Sequence, residues 1–165
     1  YVSKVEVRGW FGIGWLARAT GTIFINRVRG EAKQQQKTLS DRLSIGHKLL
    51  FFPEGTSTDS IRVLPFKTTL FSAFFDPDLH SKLFVQPVTV IYKAPKGQPE
   101  TFYGWWGDMS FGWHLVLVLG ARKQGQVDLI YHPPIKVSDY PDRKALARAC
   151  EEIVRSGMPP ERQLT

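Results

Sequence analysis

The sequence predicts an α/β domain in which a mixed, largely parallel sheet is flanked by helices. Short apolar segments typical of strands alternate along the chain with segments of helical periodicity, and this alternation favours parallel pairing. The 165 residues correspond to about one domain and are enough to bury a core. No repeat or internal boundary is visible, so we expect one domain over residues 1–158 and a loose tail over 159–165.

The first half of the chain contains three predicted strands. Apolar and β-branched residues indicate the strands, and apolar residues on one side of polar segments indicate helices. Pro53 would end the third strand, while Gly21 and Gly46 would end the two helices. In chain order we predict strand 1–7, helix 10–19, strand 22–26, helix 31–45, strand 48–52, loop 54–65 and helix 67–75.

The second half ends in the clearest helical pattern of the chain. Asp139 is the predicted cap of this helix, Pro141 suits its first turn, and Gly157 suits its end. Before it we predict a strand over 84–92 interrupted near Pro87, a turn at 94–98 and a strand over 126–132, while 113–120 fits helix or strand. The apolar stripe of the last helix consists of Leu146, Ala149, Cys150, Ile153 and Val154.

The net charge indicates the general class of binding partner but does not identify a particular one. A net charge of +7 favours anionic partners such as phosphorylated metabolites, acidic carrier proteins, anionic lipid or nucleic acid. The one cysteine, Cys150, permits no intrachain disulfide and is expected to be buried. No apolar run reaches the length of about 18 residues needed to span a bilayer. The aromatic group Trp105, Trp106, Phe111 and Trp113 could pack in the core, line an acyl groove or touch a membrane interface.

Residues 49–57 carry the most chemistry. A strand runs into Pro53, and an acid, a glycine and two hydroxyl residues follow. Glu54 can accept hydrogen bonds from substrate hydroxyls, Gly55 lets the backbone approach a ligand, and Thr56 adds a hydroxyl. From these residues alone, a polar-ligand loop and an ordinary strand-to-turn connection both remain open.

Three segments, taken in order, resemble the signature blocks of acyltransferases that acylate glycerol 3-phosphate or lysophosphatidate. Gly-Thr-Ile-Phe-Ile-Asn-Arg at 21–27 resembles the second block, and Val-Gln-Pro-Val at 85–88 resembles the fourth. Phe-Pro-Glu-Gly-Thr at 52–56, with Val-Leu-Pro-Phe-Lys at 63–67, resembles the third. The segments 1–7 and 104–109 are similar to the bacterial branch, which includes lyso-ornithine-lipid acyltransferases. The resemblance covers most of the chain and implies an acyltransferase-like α/β fold.

The resemblance also implies roles for individual residues. Arg27 matches the arginine that holds the acceptor phosphate, a role that suits the bidentate guanidinium fork. Asn26 stands where the family commonly has Asp, and Ser57 stands where many members have Arg. The implied substrate-binding residues are Arg27, Glu54, Gly55, Thr56 and Lys67; Arg62 and Lys67 are candidates to replace the missing arginine.

The family's catalytic pair is not in the sequence. That chemistry uses a His and an Asp separated by four residues, with the His as general base. The residues five positions after the four histidines are Phe52, Val85, Leu119 and Val137. In the family the pair precedes the second block, so we expect it upstream of Tyr1 and expect this segment to be inactive alone.

The implied reaction moves a fatty acyl group from acyl carrier protein or coenzyme A to the hydroxyl of a lysophospholipid, such as 1-acyl-glycerol 3-phosphate. The thioester is a co-substrate, and neither a cofactor nor a metal site is expected. The expected partners are the lipid acceptor, the thioester carrier and a membrane surface at the cytoplasmic face of the inner membrane, without nucleic acid. The absent pair keeps a second hypothesis open, a catalytically inactive lipid- or membrane-binding domain of the same fold.

Overall fold

The computed structural model describes residues 1–26 and 32–163 as a mixed α/β domain. Strand β1 (Val2–Lys4) pairs in parallel with β2 (Ile23–Ile25). A short 3-10 helix (Val5–Gly9) and helix α1 (Ile13–Ala19) connect them, as a parallel pair requires a crossover. The predicted strand over 1–7 therefore ends early, because the backbone turns into the 3-10 helix after Lys4.

The predicted strand over 48–52 is an extended segment with little pairing. The Val2 amide donates to the Leu50 carbonyl across 2.9 Å, on the side of β1 that faces away from β2. Leu49 and Phe51 pack against the core, whereas Leu50 and Phe52 are exposed. Its side chains alternate as in a strand, but no regular ladder forms.

Helix α2 (Ala32–Ser44) covers the core of this half, and the predicted helix over 67–75 is a 3-10 helix, Leu70–Phe75. Phe71 is 1% exposed and lies edge-on to both Phe51 and Phe74, with ring centroids 5.5 and 5.7 Å apart. Helix α2 is mostly polar and buries only a narrow side, at Leu39 and Ser40. The Ser40 hydroxyl donates to the Ala73 carbonyl of the 3-10 helix.

The strands of the second half of the chain pair antiparallel, in two separate two-stranded sheets. Strand β4 (Val88–Lys93) pairs with β5 (Gln126–Tyr131), and the short strands β3 (Phe84–Val85) and β6 (Ile135–Lys136) pair with each other. Pro87 separates β3 from β4, as predicted. The mixed α/β class holds, but parallel pairing does not predominate among the described residues, which contain one parallel and two antiparallel pairs.

Helix α3 (Phe111–Gly120) resolves the ambiguous segment as a helix, and α4 (Arg143–Ser156) is the long predicted one. The cap of α4 is Asp142, whose side chain accepts from the Lys144 and Ala145 amides at 2.7 and 2.9 Å. The prediction of Asp139 as the cap is wrong, because Asp139 ends a preceding 3-10 helix (Val137–Asp139).

A buried hydrogen bond joins α4 to strand β4. Thr89 of β4 is fully buried, and its hydroxyl lies 2.8 Å from His132 Nε2 and donates to the Val154 carbonyl across 2.7 Å. Gly157 ends α4 beside this contact, where a Cβ atom would lie 2.5 Å from Thr89 Oγ1. This close approach explains why a residue without a side chain ends the helix here.

Residues 160–163 form helix α5 (Pro160–Gln163) where a loose tail is predicted. Arg162 donates to the Tyr92 carbonyl, and Gln163 donates to the carbonyls of Ser156 and Met158. Met158 is 4% exposed. These contacts fasten the end of the described chain to β4 and α4. No helix within 1–26 and 32–163 is long and apolar enough to cross a membrane.

Candidate functional site

A closed loop contains most of the predicted binding residues. The Lys67 amide donates to the Pro53 carbonyl across 2.8 Å, so the two ends of residues 54–66 meet. Gly55 donates to the Phe52 carbonyl and has a φ of +73°, a conformation that glycine adopts without strain. The Pro-Glu-Gly order is therefore what folds the chain back on itself after the extended segment 48–52.

Glu54 stabilises this loop from inside. Its Oε2 accepts a 2.7 Å hydrogen bond from the Leu64 amide, and the side chain is half-buried. Burial raises the pKa of Glu54, because removing water disfavours its charged form. The Leu64 amide and the Arg155 charge oppose this rise, whereas Glu151 and Asp59 add to it. The bond to Leu64 uses one of the two carboxylate oxygens.

Helix α4 holds the same loop from outside. Glu151 Oε2 accepts a 2.8 Å hydrogen bond from the Phe66 amide, and its Oε1 lies 3.0 Å from Arg155 Nε. A carboxylate that binds a backbone amide and a guanidinium together forms charge-assisted bonds. Sequence reasoning missed Glu151 and Arg155: their spacing of four shows a helical ion pair, but nothing local indicates a contact with residue 66, which lies 85 positions away.

The far side of the loop is fixed by Asp59. Its side chain is 11% exposed, accepts from the Ile61 amide and lies 2.6 Å from Arg62 Nε. The backbone at Gly104 approaches so closely that a Cβ atom there would sit 2.5 Å from the Asp59 carbonyl carbon. The Trp105 amide donates to the Thr58 carbonyl nearby. Arg62 is therefore already paired with Asp59, which leaves Lys67 as the better candidate to replace the missing arginine.

The structure brings four of the five predicted residues together. Glu54, Gly55 and Thr56 start the loop, Lys67 closes it through its backbone, and the side chains of Thr56 and Lys67 are exposed. The fifth, Arg27, lies outside the described residues; Asn26 precedes it, and Gln35 donates to the Asn26 carbonyl.

The free cysteine and the possible metal ligands were the other candidates for chemistry within the described residues. Cys150 is 3% exposed, and burial raises the pKa of its thiol to about 11, which suppresses the thiolate. Within 1–26 and 32–163, no group of three or more His, Cys, Asp or Glu side chains could hold a metal ion.

A cavity of about 400 Å³ lies apart from the loop, at the Tyr1 end of β1. Its lining includes Arg42, His47 and Lys48.

Fold and site together define a class: an α/β domain with a parallel strand–helix–strand unit and a closed loop that begins with Pro-Glu-Gly. The family model described as Acyltransferase matches residues 1–91, which is more than half of the chain. The chain belongs to the acyltransferase family. The resemblance inferred from the signature blocks is thereby confirmed.

Curated relatives agree with this assignment. The chain is 60% identical over 158 residues to a lyso-ornithine lipid O-acyltransferase of Rhodobacter capsulatus, covering 96% of the chain and 57% of the relative. It is 35% identical over 167 residues to one of Brucella abortus, covering 94% of the chain and 61% of the relative. A 1-acyl-sn-glycerol-3-phosphate acyltransferase of Neisseria meningitidis is 31% identical, with 94% and 59% covered. The chain thus spans somewhat more than half the length of these relatives.

A solved structure supports the fold. The 1-acyl-sn-glycerophosphate (LPA) acyltransferase PlsC of Thermotoga maritima is similar with a TM-score of 0.62 at 23% identity. The match covers 94% of this chain and 54% of that one. The predicted acyltransferase-like α/β fold is confirmed by this similarity.

Proposed function

We propose that the protein containing this chain transfers a fatty acyl group to the hydroxyl of a lysolipid, and that lyso-ornithine lipid is its acceptor. The observation that carries the proposal is the 60% identity, across 96% of the chain, with the Rhodobacter capsulatus enzyme of that name. Lysophosphatidate is the competing acceptor, since a relative named for 1-acyl-glycerol 3-phosphate is 31% identical over 157 residues.

The chemistry is acyl transfer from a thioester on acyl carrier protein or coenzyme A. The acceptor hydroxyl oxygen attacks the thioester carbonyl carbon, a new ester C–O bond forms, and the C–S bond breaks. The hydroxyl proton passes to a general base and then to the leaving thiolate. We propose that this base is a His of a His-x4-Asp pair in sequence preceding Tyr1, because the four histidines of this chain lack the partner Asp.

The closed loop would hold the acceptor head group. Arg27 would bind an anionic group of the head group through its guanidinium fork, and Lys67 and the Gly55 backbone would lie at the loop's ends. Ser57 occupies the position at which many family members have an arginine, so one possible cationic contact is missing. An ornithine head group carries a carboxylate and an ammonium but no phosphate, so it needs fewer cations and suits the acid Glu54 beside Thr56.

The membrane is the proposed working surface. A lysolipid acceptor resides in a bilayer, and a net charge of +7 favours anionic lipid and an acidic carrier. We propose that the protein works at the cytoplasmic face of the inner membrane.

An acceptor panel tests the proposal. The complete gene product is incubated with acyl-carrier-protein or coenzyme A thioesters, and transfer to lyso-ornithine lipid, lysophosphatidate and glycerol 3-phosphate is measured. We expect the largest kcat/KM with lyso-ornithine lipid. A preference for lysophosphatidate would reassign the acceptor, and lipid binding without transfer to any of them would favour the inactive binding domain.

Arg27→Ala tests the head-group role. We expect the KM for the acceptor to rise by about tenfold or more with a smaller change in kcat, because a charge-assisted contact is lost from the bound acceptor. Arg148→Ala, on the exposed side of α4, is the matched control and should leave the KM unchanged. Unchanged acceptor kinetics in Arg27→Ala would remove this residue from the site.

A further inference from the structure

Helix α3 turns an apolar face to its surroundings. The residues at spacings of three and four that face the protein are all partly buried: Phe111, His114, Leu115 and Val118. The opposite side is exposed along the whole helix, with Trp113 at 65% and Leu119 at 73%. We define the outer face of α3 as Gly112, Trp113, Val116, Leu117, Leu119 and Gly120.

The outer side of this helix departs from what is expected on a water-exposed surface, because α3 is apolar on both its inner and its outer side. A helix on such a surface places charged and polar residues outward and apolar residues inward. The outer face of α3 contains no polar side chain, and the polar side chain of the helix, His114, faces inward. An exposed, contiguous apolar surface of this kind marks a contact with another apolar medium.

The helix is fastened at its start by aromatic packing. The ring of Phe111 stacks on Trp10 with centroids 4.5 Å apart and lies edge-on to Trp105 at 4.8 Å. Helix α1, which follows Trp10, adds Trp15 and Leu16 to the exposed apolar residues of this region, at 64% and 56%. The outer face is thus held in a fixed position and not hinged away from the domain.

Two features favour a lipid surface over a second protein as the occupant. Arg122 and Lys123 follow the helix directly and are exposed, so a cationic end adjoins the apolar face. A helix of ten residues is about 15 Å long, and its outer face is far smaller than the roughly 800 Å² per partner of a stable dimer. Apolar and Trp side chains beside basic residues are typical of helices that lie in the plane of an anionic bilayer surface.

We propose that the outer face of α3 inserts into the surface of an anionic bilayer, with Arg122 and Lys123 at the lipid head groups. The inference rests on the proposed function, because an acceptor lipid lies in that bilayer. The helix lies along the surface, since a length of about 15 Å is half of the hydrocarbon thickness. Insertion there would hold the 101–106 segment, and with it the Asp59 side of the loop, close to the membrane.

A fluorescent label on the outer face tests this directly. The complete gene product carrying Leu117→Cys is labelled with an environment-sensitive dye, and the native Cys150 is shielded by burial. With vesicles of phosphatidylglycerol and phosphatidylcholine we expect a severalfold rise in emission, a blue shift and quenching by acyl-chain nitroxide lipids. The matched control is a label at Glu152→Cys, an exposed polar position on α4, which should not respond.

Three outcomes would overturn the proposal. These are no response of the label at 117 to vesicles of any composition, an equal response of the label at 152, and shielding of the label at 117 in the absence of vesicles. Shielding that grows with protein concentration would assign the face to a second copy. Shielding that is independent of concentration would assign it to another segment of the same polypeptide.

The charges are tested separately. Replacing both Arg122 and Lys123 by Gln should weaken the 117 response to anionic vesicles and remove its dependence on salt, because two cations no longer meet the head groups. An unchanged response would show that apolar insertion alone holds the helix and would overturn the assignment of an anionic surface.

A double variant separates this inference from the proposed function. Leu117→Glu with Leu119→Glu should fold normally, since both side chains are exposed, and should lower vesicle partitioning at this face by about tenfold or more. Transfer to an acceptor in vesicles should fall, while transfer to a short-chain acceptor in monomeric solution should be kept. Insertion of α3 without any transfer would contradict the proposed function alone, and transfer without insertion would contradict the α3 proposal alone.

Discussion

Helices α3 and α4 differ in how they bury their apolar residues and in how they are capped. In α4, Leu146, Ala147 and Cys150 are buried, and Asp142 caps the start with two hydrogen bonds. In α3, no residue reaches full burial, and Ser110 makes no capping bond with its side chain. Polar residues cover the outer side of α4, whereas Trp, Val and Leu cover that of α3.

The two helices differ in how much their apolar residues contribute to folding. Helix α4 is held by its apolar inner side and in turn holds the 54–66 loop through Glu151. Helix α3 contacts the domain through partly buried residues and its aromatic start, so most of its apolar surface contributes nothing to folding in water. The same hydrophobicity therefore supports folding in one helix and association in the other.

The largest expected difference is in the cost of truncating a leucine. Leu146→Ala should lower the free energy of unfolding by about 2–5 kcal/mol, because Leu146 is 0% exposed and a cavity would remain. Leu117→Ala, at 52% exposed, should stay within about 0.5 kcal/mol. Urea denaturation followed by circular dichroism measures both. Equal losses would mean that the outer face of α3 is packed inside the folded protein.

A smaller effect is expected where α4 meets the loop. Glu151→Ala leaves the Phe66 amide and Arg155 without this acceptor and should cost about 2 kcal/mol of unfolding free energy. The acceptor KM should rise as well, because the loop loses its outer support. Glu152→Ala, one residue further along and exposed, is the control and should change neither quantity. If both variants behave alike, α4 does not position the loop.

The smallest effect concerns the cap of α4 and depends on pH. The amides of Ala145 and Lys144 lower the pKa of Asp142, so its contribution to stability is present above the unfolded value near pH 4 and is lost as the pH falls below it. Asp142→Ala should lower the melting temperature by a few degrees at pH 7 and flatten its acid dependence in that range. Asp139→Ala should do neither, and an equal effect would restore Asp139 as the cap.

Much of the domain follows from local pattern. The helix over 143–156, the interruption at Pro87 and the buried Cys150 were predictable, because periodicity and proline geometry act over a few residues. An aspartate is a good helix cap, so the sequence alone allows either Asp139 or Asp142 as the cap of α4. The cap is Asp142, because the chain after β6 first forms the 3-10 helix that contains Asp139.

The rest depends on long-range contacts. Residues 48–52 have strand composition, but strand pairing needs a partner, and a single backbone bond to Val2 links them to β1. The loop over 54–66 was predictable from Pro53, Glu54 and Gly55. Its contact with Glu151 was not, since Glu151 lies 85 positions from Phe66 in the sequence. The antiparallel pairs were missed because strand–helix alternation indicates parallel crossovers and does not record the direction of a returning strand.

The contact at Thr89 fixes the position of one hydrogen atom. A hydroxyl has a single proton, and here it is given to the Val154 carbonyl, which can only accept. His132 Nε2, 2.8 Å away, must then carry a proton of its own and donate it to Thr89. The contact between β4, His132 and α4 therefore requires a hydrogen at Nε2 of the His132 ring.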